Sequence, residues 1–503
     1  MKYPITATAD GYALRLPRIA TLSLSSVWRL IARHWGLLAA LTIALGLHAP
    51  TLAYYFDGDD FVVLGNAEYL GGRSYIIDTF LMRDIVPNWR PLSGVYYAVQ
   101  WEVFGLNPWM WRSVNLALHL GSMALLYALM LRVSRRPAAG AIAALIFGVS
   151  GAHFDTVTYI TAFPHVAGTF LTLASLLAII AYAQDGERRP LLYGASFVFF
   201  LLAFLTNEGS FVYAPVIVLA YVLFSRRWRH APWRVIAHGA PYAMVAAGWL
   251  AFYQTCSCEQ VKWDDFYWGD HVIRNYTVYL SWIVFPAQMV PLSPDALRIG
   301  IAVVVALGLI AALVIGPNVA RVAAVGVVLA LLPFAPVAIW TASRYTYAAV
   351  AFFAPIAALA VYAAYDRVRR AHDLLRIPAT VLGIVFVATV AGLYSWQTHA
   401  QHVRSGEGTE RWHLLVREME RNYPDVPPGT TVWIVDGPWT NPMEQYTWVP
   451  SVARAIYGDA AAFNLTRDAF QQQHVDPERA LFLEWHDGEL RPVAPQQLLT
   501  SDR

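Results

Sequence analysis

The chain has 503 residues, of which 57% are hydrophobic and only 14% are Asp, Glu, Lys or Arg, with a mean hydropathy of +0.43. Soluble proteins carry about 25% charged residues, so these figures exclude a soluble, a fibrous or a disordered chain and leave a polytopic α-helical membrane protein. The net charge of +2 conceals a division: from Ala400 onward there are 9 basic and 15 acidic residues, a net −6, against +8 before it.

The first apolar run, Trp35 to Tyr55, is long enough to cross a hydrocarbon core of about 30 Å. Lys2, Arg15, Arg18, Arg29 and Arg33 precede it against a single Asp10, which puts the N-terminus in the cytoplasm. No small-residue cleavage site follows a short apolar core, so the run reads as a signal anchor. A long first outer loop spans 57–107. Within it, Pro91 to Phe104 reads as an amphipathic helix at the interface, anchored by Trp89 and Trp101.

Ten further apolar runs follow. They are Pro108–Leu131, Ala138–Ser150, Pro164–Ala183, Leu191–Thr206, Ser210–Phe224, Val235–Gln254, Ile299–Ile315, Val322–Trp340, Tyr345–Tyr365 and Ile377–Trp396. Basic clusters such as Arg132/Arg135/Arg136, Arg226/Arg227/Arg229/Arg234 and Arg367/Arg369/Arg370 fall on alternate connections. About eleven transmembrane helices therefore place the C-terminal region outside. Tyr276 to Val290 is short, aromatic-rich and broken by Pro286, and reads as interfacial or re-entrant; as a span it would move the Arg367–Arg370 loop outside. Residues 1–396 thus form a membrane module and 397–503 a small α/β domain. In the latter, Glu410–Asn422 reads as a helix and Thr430–Val435 as a strand, with a hairpin from Leu481–Trp485 that turns at Asp487-Gly488. Cys256 and Cys258 are too close in sequence for a disulfide framework.

With this topology 14 of the 19 acidic residues before Ala400 lie outside, several where spans meet the surface. Carboxylates beside lipid are costly and tend to line functional cavities. The sharpest group is Tyr55-Phe56-Asp57-Gly58-Asp59-Asp60-Phe61, at the exit of the first span. Crowding and partial desolvation of Asp57, Asp59 and Asp60 should raise at least one pKa, which suits a general base; the plainer alternative is a solvated cap on the next helix. His153 and Asp155, after the third span, could orient one another or hold a substrate hydroxyl. Asn207-Glu208 forms an outer turn, and Arg344, in Ser343-Arg344-Tyr345-Thr346-Tyr347, could hold a lipid phosphate at headgroup depth. No Gly-rich phosphate loop, HExxH, paired CxxC or Gly-x-Ser-x-Gly elbow is present. No nucleic-acid partner is implied.

In order, these pieces resemble the GT-C superfamily of membrane glycosyltransferases, nearest to the protein O-mannosyltransferase and transmembrane O-mannosyltransferase branches and their bacterial relatives. The matching residues are the acidic pair Asp59-Asp60 followed by Asn66, Arg90-Pro91-Leu92, Phe104-Gly105-Leu106, and Asn115 with His119. After them come His153-Phe154-Asp155-Thr156-Val157, Asn207-Glu208 and Arg344-Tyr345-Thr346-Tyr347. The likeness covers roughly Tyr54 to Trp396. It departs at Phe163, where the eukaryotic branch has Arg, and at Asn207, where the family has Lys. The tetratricopeptide repeats of one branch are replaced by the acidic tail.

The resemblance implies a bacterial inner-membrane enzyme with a periplasmic tail, which moves a sugar from a polyprenyl-phosphate donor to a hydroxyl on a glycan, protein or lipid. Phosphate already leaves well, so the reaction needs a base and positive charge rather than an acid. Asp59 is the expected base, with Asp60 or Asp57 as alternatives, and the reaction is expected to invert the anomeric carbon. Asn66, Arg90, His153, Asp155, Glu208 and Arg344 are the expected substrate-binding residues. No cofactor is required, although the three aspartates could take Mg²⁺ or Mn²⁺. A transporter or flippase of a lipid-linked glycan, or a non-catalytic scaffold, are the rival readings.

Overall fold

The computed structural model describes residues 24–81, 89–255, 267–285, 295–338, 341–371, 376–427, 429–435, 447–458, 461–465, 479–486 and 489–494. Pro286, both cysteines, the turn at 487–488 and the basic residues up to Arg18 lie outside the described residues.

Helix α1 (Leu24–His48) runs into a 3-10 turn at Ala49–Ala53 and an extended stretch that delivers Asp57. The first loop folds as α2 (Asp59–Leu70), α3 (Gly72–Leu81) and α4 (Pro91–Phe104). Then follow α5 (Pro108–Ser134), α6 (Pro137–Gly148), α7 (Phe154–Thr158), α8 (Phe163–Gln184), α9 (Pro190–Thr206) and α10 (Ala214–Phe224). Proline opens α4, α5, α6 and α9, where its fixed φ suits the first helical position and its missing N–H costs nothing. The bundle continues with α11 (Trp233–Thr255), α12 (Asp270–Val284), α13 (Asp295–Val314), α14 (Asn318–Leu331) and α15 (Tyr347–Ala371).

Among the described residues seven helices are long and apolar enough to cross a membrane, and α6 with α7, bent by 50°, make an eighth if they form one span. Three shorter apolar helices, Pro190–Thr206, Glu208–Phe224 and Asn318–Leu331, complete the eleven expected runs. The run expected at Val322–Trp340 is helical only to Leu331. Pro333 and Pro336 follow, and proline disfavours helix at itself and at the residue before it. Ile236, Val304 and Leu382 turn outward at 74%, 69% and 67% exposure, as side chains that meet lipid would.

Helix α16 (Arg376–Asn422) is 47 residues long and passes without a break through residue 396, where the sequence suggests a domain boundary. The tail adds β1 (Thr431–Val435), α17 (Val449–Tyr457), β2 (Ala461–Leu465), β3 (Ala480–His486) and β4 (Glu489–Pro492). The sheet order is β2-β1-β3-β4. β1 is parallel to β2 and β3, and β3–β4 is the antiparallel hairpin. Parallel β1 and β2 need a crossover, which α17 supplies.

Two apolar cores result. One fills the helix bundle around Phe147, Ile217, Tyr279 and Val350. The second joins the first loop to the tail: Phe56, Phe61, Leu64 and Trp111 pack with Trp412, Leu415, Val449, Val452 and Leu483. The first loop therefore shares its core with the tail. α4 has the bounds expected of it, but Ser93, Gly94, Tyr97 and Gln100 are buried, and its tryptophan anchors are engaged rather than free at an interface. Trp101 donates to Glu68 (2.8 Å), and Trp89 stacks on Trp249 (centroids 5.2 Å apart).

Candidate functional site

Chain geometry separates the three clustered aspartates into different roles. Asp57 precedes α2, while Asp59 and Asp60 occupy its first turn, where the helix dipole favours negative charge. Gly58 between them has φ +49°, and a Cβ there would lie 3.0 Å from the Trp448 indole. Both the backbone and the neighbour therefore demand glycine. Gly58→Ala is expected to destabilise the fold by about 1–3 kcal/mol, read as a lower midpoint of thermal unfolding; an unchanged midpoint would show that the Trp448 contact contributes nothing.

Asp60 is fully buried. Its Oδ1 accepts from the backbone N–H groups of Ile160 (3.0 Å) and Thr161 (3.2 Å) and from the Thr161 hydroxyl (3.3 Å). Its Oδ2 lies 3.7 Å from the equally buried Arg112 guanidinium. Burial pushes the Asp60 carboxyl up to about 7, opposed by Arg112 and the Thr161 N–H. Asp57 accepts from the Trp412 indole at Oδ1 (2.8 Å) and from the Tyr159 hydroxyl at Oδ2 (3.3 Å). Burial raises its pKa too, against the pull of Trp412, Arg411 and Tyr159. Asp59 is different: its side chain is 35% exposed, its Oδ1 accepts from the Trp448 indole (3.0 Å), and its Oδ2 stands 3.5 Å from Arg344 Nη2.

Arg344 comes from the 3-10 turn Ser343–Thr346 that starts the span of α15. Its neighbour Ser343 donates to the Asp155 carboxylate, so Asp59, Asp155 and Arg344 gather at one point. Arg90, the residue before α4, makes a two-point ion pair with Glu208 (2.6 and 2.9 Å) across 118 positions. The Asn207 side chain turns back onto the Gly209 N–H (3.0 Å).

Of these groups Arg344, Arg90, Glu208 and Asn207 line two neighbouring cavities, which share Asn207, Gly209, Pro333, Phe334 and Tyr345 in their walls; Asp59 and Asp155 line neither. The smaller contains Arg344 and His165. The larger, of about 410 Å³, has Arg90 and Glu208 at one part and Trp89, Trp249, Tyr253 and Trp268 along the rest. Its wall at Pro333–Phe334 exists because the prolines end α14 early.

Two expected residues are placed elsewhere. His153 is fully buried among His119, Phe147 and Tyr347, with ring centroids 4.5–5.4 Å apart, and so does not join Asp155, whose carboxylate is met by Ser343. Asn66 is buried in α2, two turns beyond Asp59, and lines neither cavity. The structure adds Trp412, Trp448, Ser343, Arg112 and His165. Ser343 stood beside Arg344 in the motif, but no local pattern signals the two tryptophans.

Each aspartate is met by N–H or O–H donors, Asp60 and Asp59 each face an arginine, and among the described residues no three acidic, His or Cys side chains converge on a cation position.

No protein-family model and no curated protein sequence matches the chain. Solved structures do. Apo ArnT from Cupriavidus metallidurans superposes with a TM-score of 0.54 at 13% identity, covering 92% of this chain and 94% of that one. ArnT bound to undecaprenyl phosphate gives 0.49 at 12% identity over the same shares. The Archaeoglobus fulgidus oligosaccharyltransferase with a tethered acceptor peptide gives 0.49 at 12% identity, covering 85% of this chain and 64% of that protein. The chain thus spans just under two thirds of the archaeal enzyme's length.

Proposed function

We propose that this chain, which has the fold of the GT-C membrane glycosyltransferases, transfers a sugar from a polyprenyl-phosphate donor to an acceptor hydroxyl, with Asp59 as general base. One observation carries the reading: of the three clustered aspartates, Asp59 has its side chain 35% exposed and is the one whose carboxylate stands 3.5 Å from the guanidinium of Arg344. A base and a fixed positive charge side by side are what this displacement requires.

The donor lipid lies along the aromatic wall of the 410 Å³ cavity, whose Leu250 and Trp268 are exposed at 46% and 68% and open it toward lipid. A polyprenyl chain is apolar and suits Trp89, Trp249 and Tyr253. ArnT, a solved protein whose fold this chain resembles, is known with undecaprenyl phosphate bound, which supports a ligand of this class. The phosphate meets Arg344 by charge-assisted hydrogen bonds and loosens its long contact with Asp59. Asp59 takes the proton of the acceptor hydroxyl as that oxygen bonds to the anomeric carbon. The bond from this carbon to phosphate oxygen breaks on the opposite side, and polyprenyl phosphate leaves. A single displacement inverts the anomeric centre. The Arg90–Glu208 pair fixes α4 against the turn after α9 and holds the cavity's shape. The acceptor approaches Asp59 beside Trp448, so the tail takes part in its binding.

The test is transfer by the purified full chain from radiolabelled polyprenyl-phosphate sugars to hydroxyl acceptors of glycan, peptide and lipid type. Transfer that persists in EDTA is expected, because each of the three aspartates already accepts from protein donors. Loss on chelation, restored by Mg²⁺ or Mn²⁺, would overturn the metal-free mechanism. Flipping of the donor without transfer would overturn the enzyme reading. Trp448→Phe keeps the ring and removes the N–H that Asp59 accepts. A hydrogen bond to a charged group contributes about 1.5–3 kcal/mol, so kcat is expected to change by roughly 10- to 100-fold with little change in the unfolding midpoint.

A further inference from the structure

Far from the carboxylate site, another cavity, of about 1080 Å³, is lined by Arg132, Arg135, Arg226, Arg227, Arg229 and Asp185. It lies at the other end of the bundle. Arg112 on α5 faces Asp60, and Arg132 follows 20 residues later on the same helix, about 30 Å along the axis at 1.5 Å per residue. That is the thickness of a hydrocarbon core.

The cavity's carboxylates are already committed. Asp185 pairs with Arg132 (2.6 Å) and Arg189 (3.5 Å). Nearby Glu187 is tied to Arg234 and accepts from the hydroxyls of Ser225 (2.8 Å) and Tyr221 (3.0 Å). Arg135, Arg226, Arg227 and Arg229 have no ion pair among the described residues. Five guanidinium groups therefore surround one carboxylate, and a cavity of net +4 faces solvent or lipid.

The display is held in place. Arg135 caps α5 at φ +56° and Glu187 sits at φ +60°; they are the two non-glycine residues with positive φ among the described residues. Arg227–Arg229 form a 3-10 turn whose Trp228 indole donates to the Val222 carbonyl (2.7 Å) and whose first N–H donates to Ser225 Oγ (3.3 Å). The backbone that carries these arginines is thus held, and guanidinium forks without an ion pair match a phosphate's oxygens.

The surroundings identify the phosphate's carrier. Leu191, Trp233 and Ile236, beside these loops, are 86%, 62% and 74% exposed, and Ile315, near the cavity residue Asn318, is 82% exposed. Apolar side chains bared at this level belong among acyl chains, so a ligand that bridges them and the arginines has both an acyl body and an anionic head.

We propose that this cavity binds the phosphodiester headgroup of an anionic phospholipid from the leaflet opposite the carboxylate site. The inference stands independently of the transferase reading. The purified full chain in neutral detergent is titrated with short-chain phosphatidylglycerol, phosphatidylcholine of equal chain length, or inorganic phosphate, and followed by native mass spectrometry and thermal unfolding. Phosphatidylglycerol is expected to bind and to raise the unfolding midpoint, with phosphatidylcholine and inorganic phosphate far weaker. An arginine near an anionic lipid contributes roughly fivefold, so the triple variant Arg226→Gln, Arg227→Gln, Arg229→Gln is expected to weaken binding on the order of 100-fold. The single variant Arg229→Gln, a gentler change should the triple fail to fold, is expected to weaken it by roughly fivefold. A charge-matched control, Arg417→Gln, Arg421→Gln, Arg491→Gln in the tail, is expected to bind as the unaltered protein does. Equal binding of the two lipids, unaltered binding by the arginine variants, or equal loss in the control would overturn the proposal. Inorganic phosphate that binds as tightly as phosphatidylglycerol would overturn the lipid assignment in favour of a soluble anion.

Discussion

Asp59→Asn is expected to lower kcat for sugar transfer by about 10²- to 10⁴-fold, the range a positioned general base contributes. Asparagine keeps the shape and can still accept the Trp448 N–H through its carbonyl oxygen. It cannot take a proton from the acceptor hydroxyl. Because Arg344 loses only a 3.5 Å contact between partly exposed groups, such a pair is worth little to stability. The unfolding midpoint should therefore barely move, and KM for the donor should hold or fall as Arg344 is released for phosphate. This split distinguishes Asp59 from its neighbours. Asp57→Asn and Asp60→Asn remove carboxylates that organise buried donors, so their losses should appear in unfolding as well as in rate. Full transfer by Asp59→Asn would move the base elsewhere, first to Asp155, which shares the same point in space through Ser343.

Arg112→Leu is expected to destabilise the fold by about 3–5 kcal/mol, the cost of breaking a buried ion pair from one side. Arg112 and Asp60 are both fully buried, and Arg112 also donates to the Tyr55 carbonyl that leads into Asp57. The pH dependence gives the sign. Burial already raises the Asp60 pKa to about 7, and Arg112 is the largest influence that lowers it. A carboxyl with a raised pKa in the folded state contributes stability below its unfolded pKa, and that stability is lost as pH rises through the folded value. Without Arg112 the folded value climbs further, so the Arg112→Leu substitution should cost most near pH 8 and least near pH 6, where Asp60 takes up a proton. Unfolding midpoints at those two pH values check this. A cost that does not depend on pH would mean that lost packing, not the uncompensated charge, sets it.

Much of the membrane part was legible along the chain because its signal is local. An apolar run of twenty residues has to form a helix in lipid to satisfy its own backbone, and each of the eleven runs contains one. Helix α4 was legible at both ends, through Pro91 and Gly105. Val322–Trp340 was read too long because a hydropathy window does not register Pro333 and Pro336. His153 was expected to orient Asp155 or hold a substrate hydroxyl because the two lie nearly side by side in sequence; in three dimensions its ring packs among His119, Phe147 and Tyr347.

Composition and periodicity by themselves determined that the chain is a helical membrane protein. They also determined where acids and arginines concentrate, and that Asp57, Asp59 and Asp60 emerge together. How the three aspartates differ in burial and partners was decided only in three dimensions. Trp412 reaches Asp57 across 355 positions and Trp448 reaches Asp59 across 389, while Arg112 and the Ile160–Thr161 backbone close over Asp60. Three chemically identical carboxylates in four residues differ because burial and donor count are set by distant segments, and no pattern within the motif encodes them.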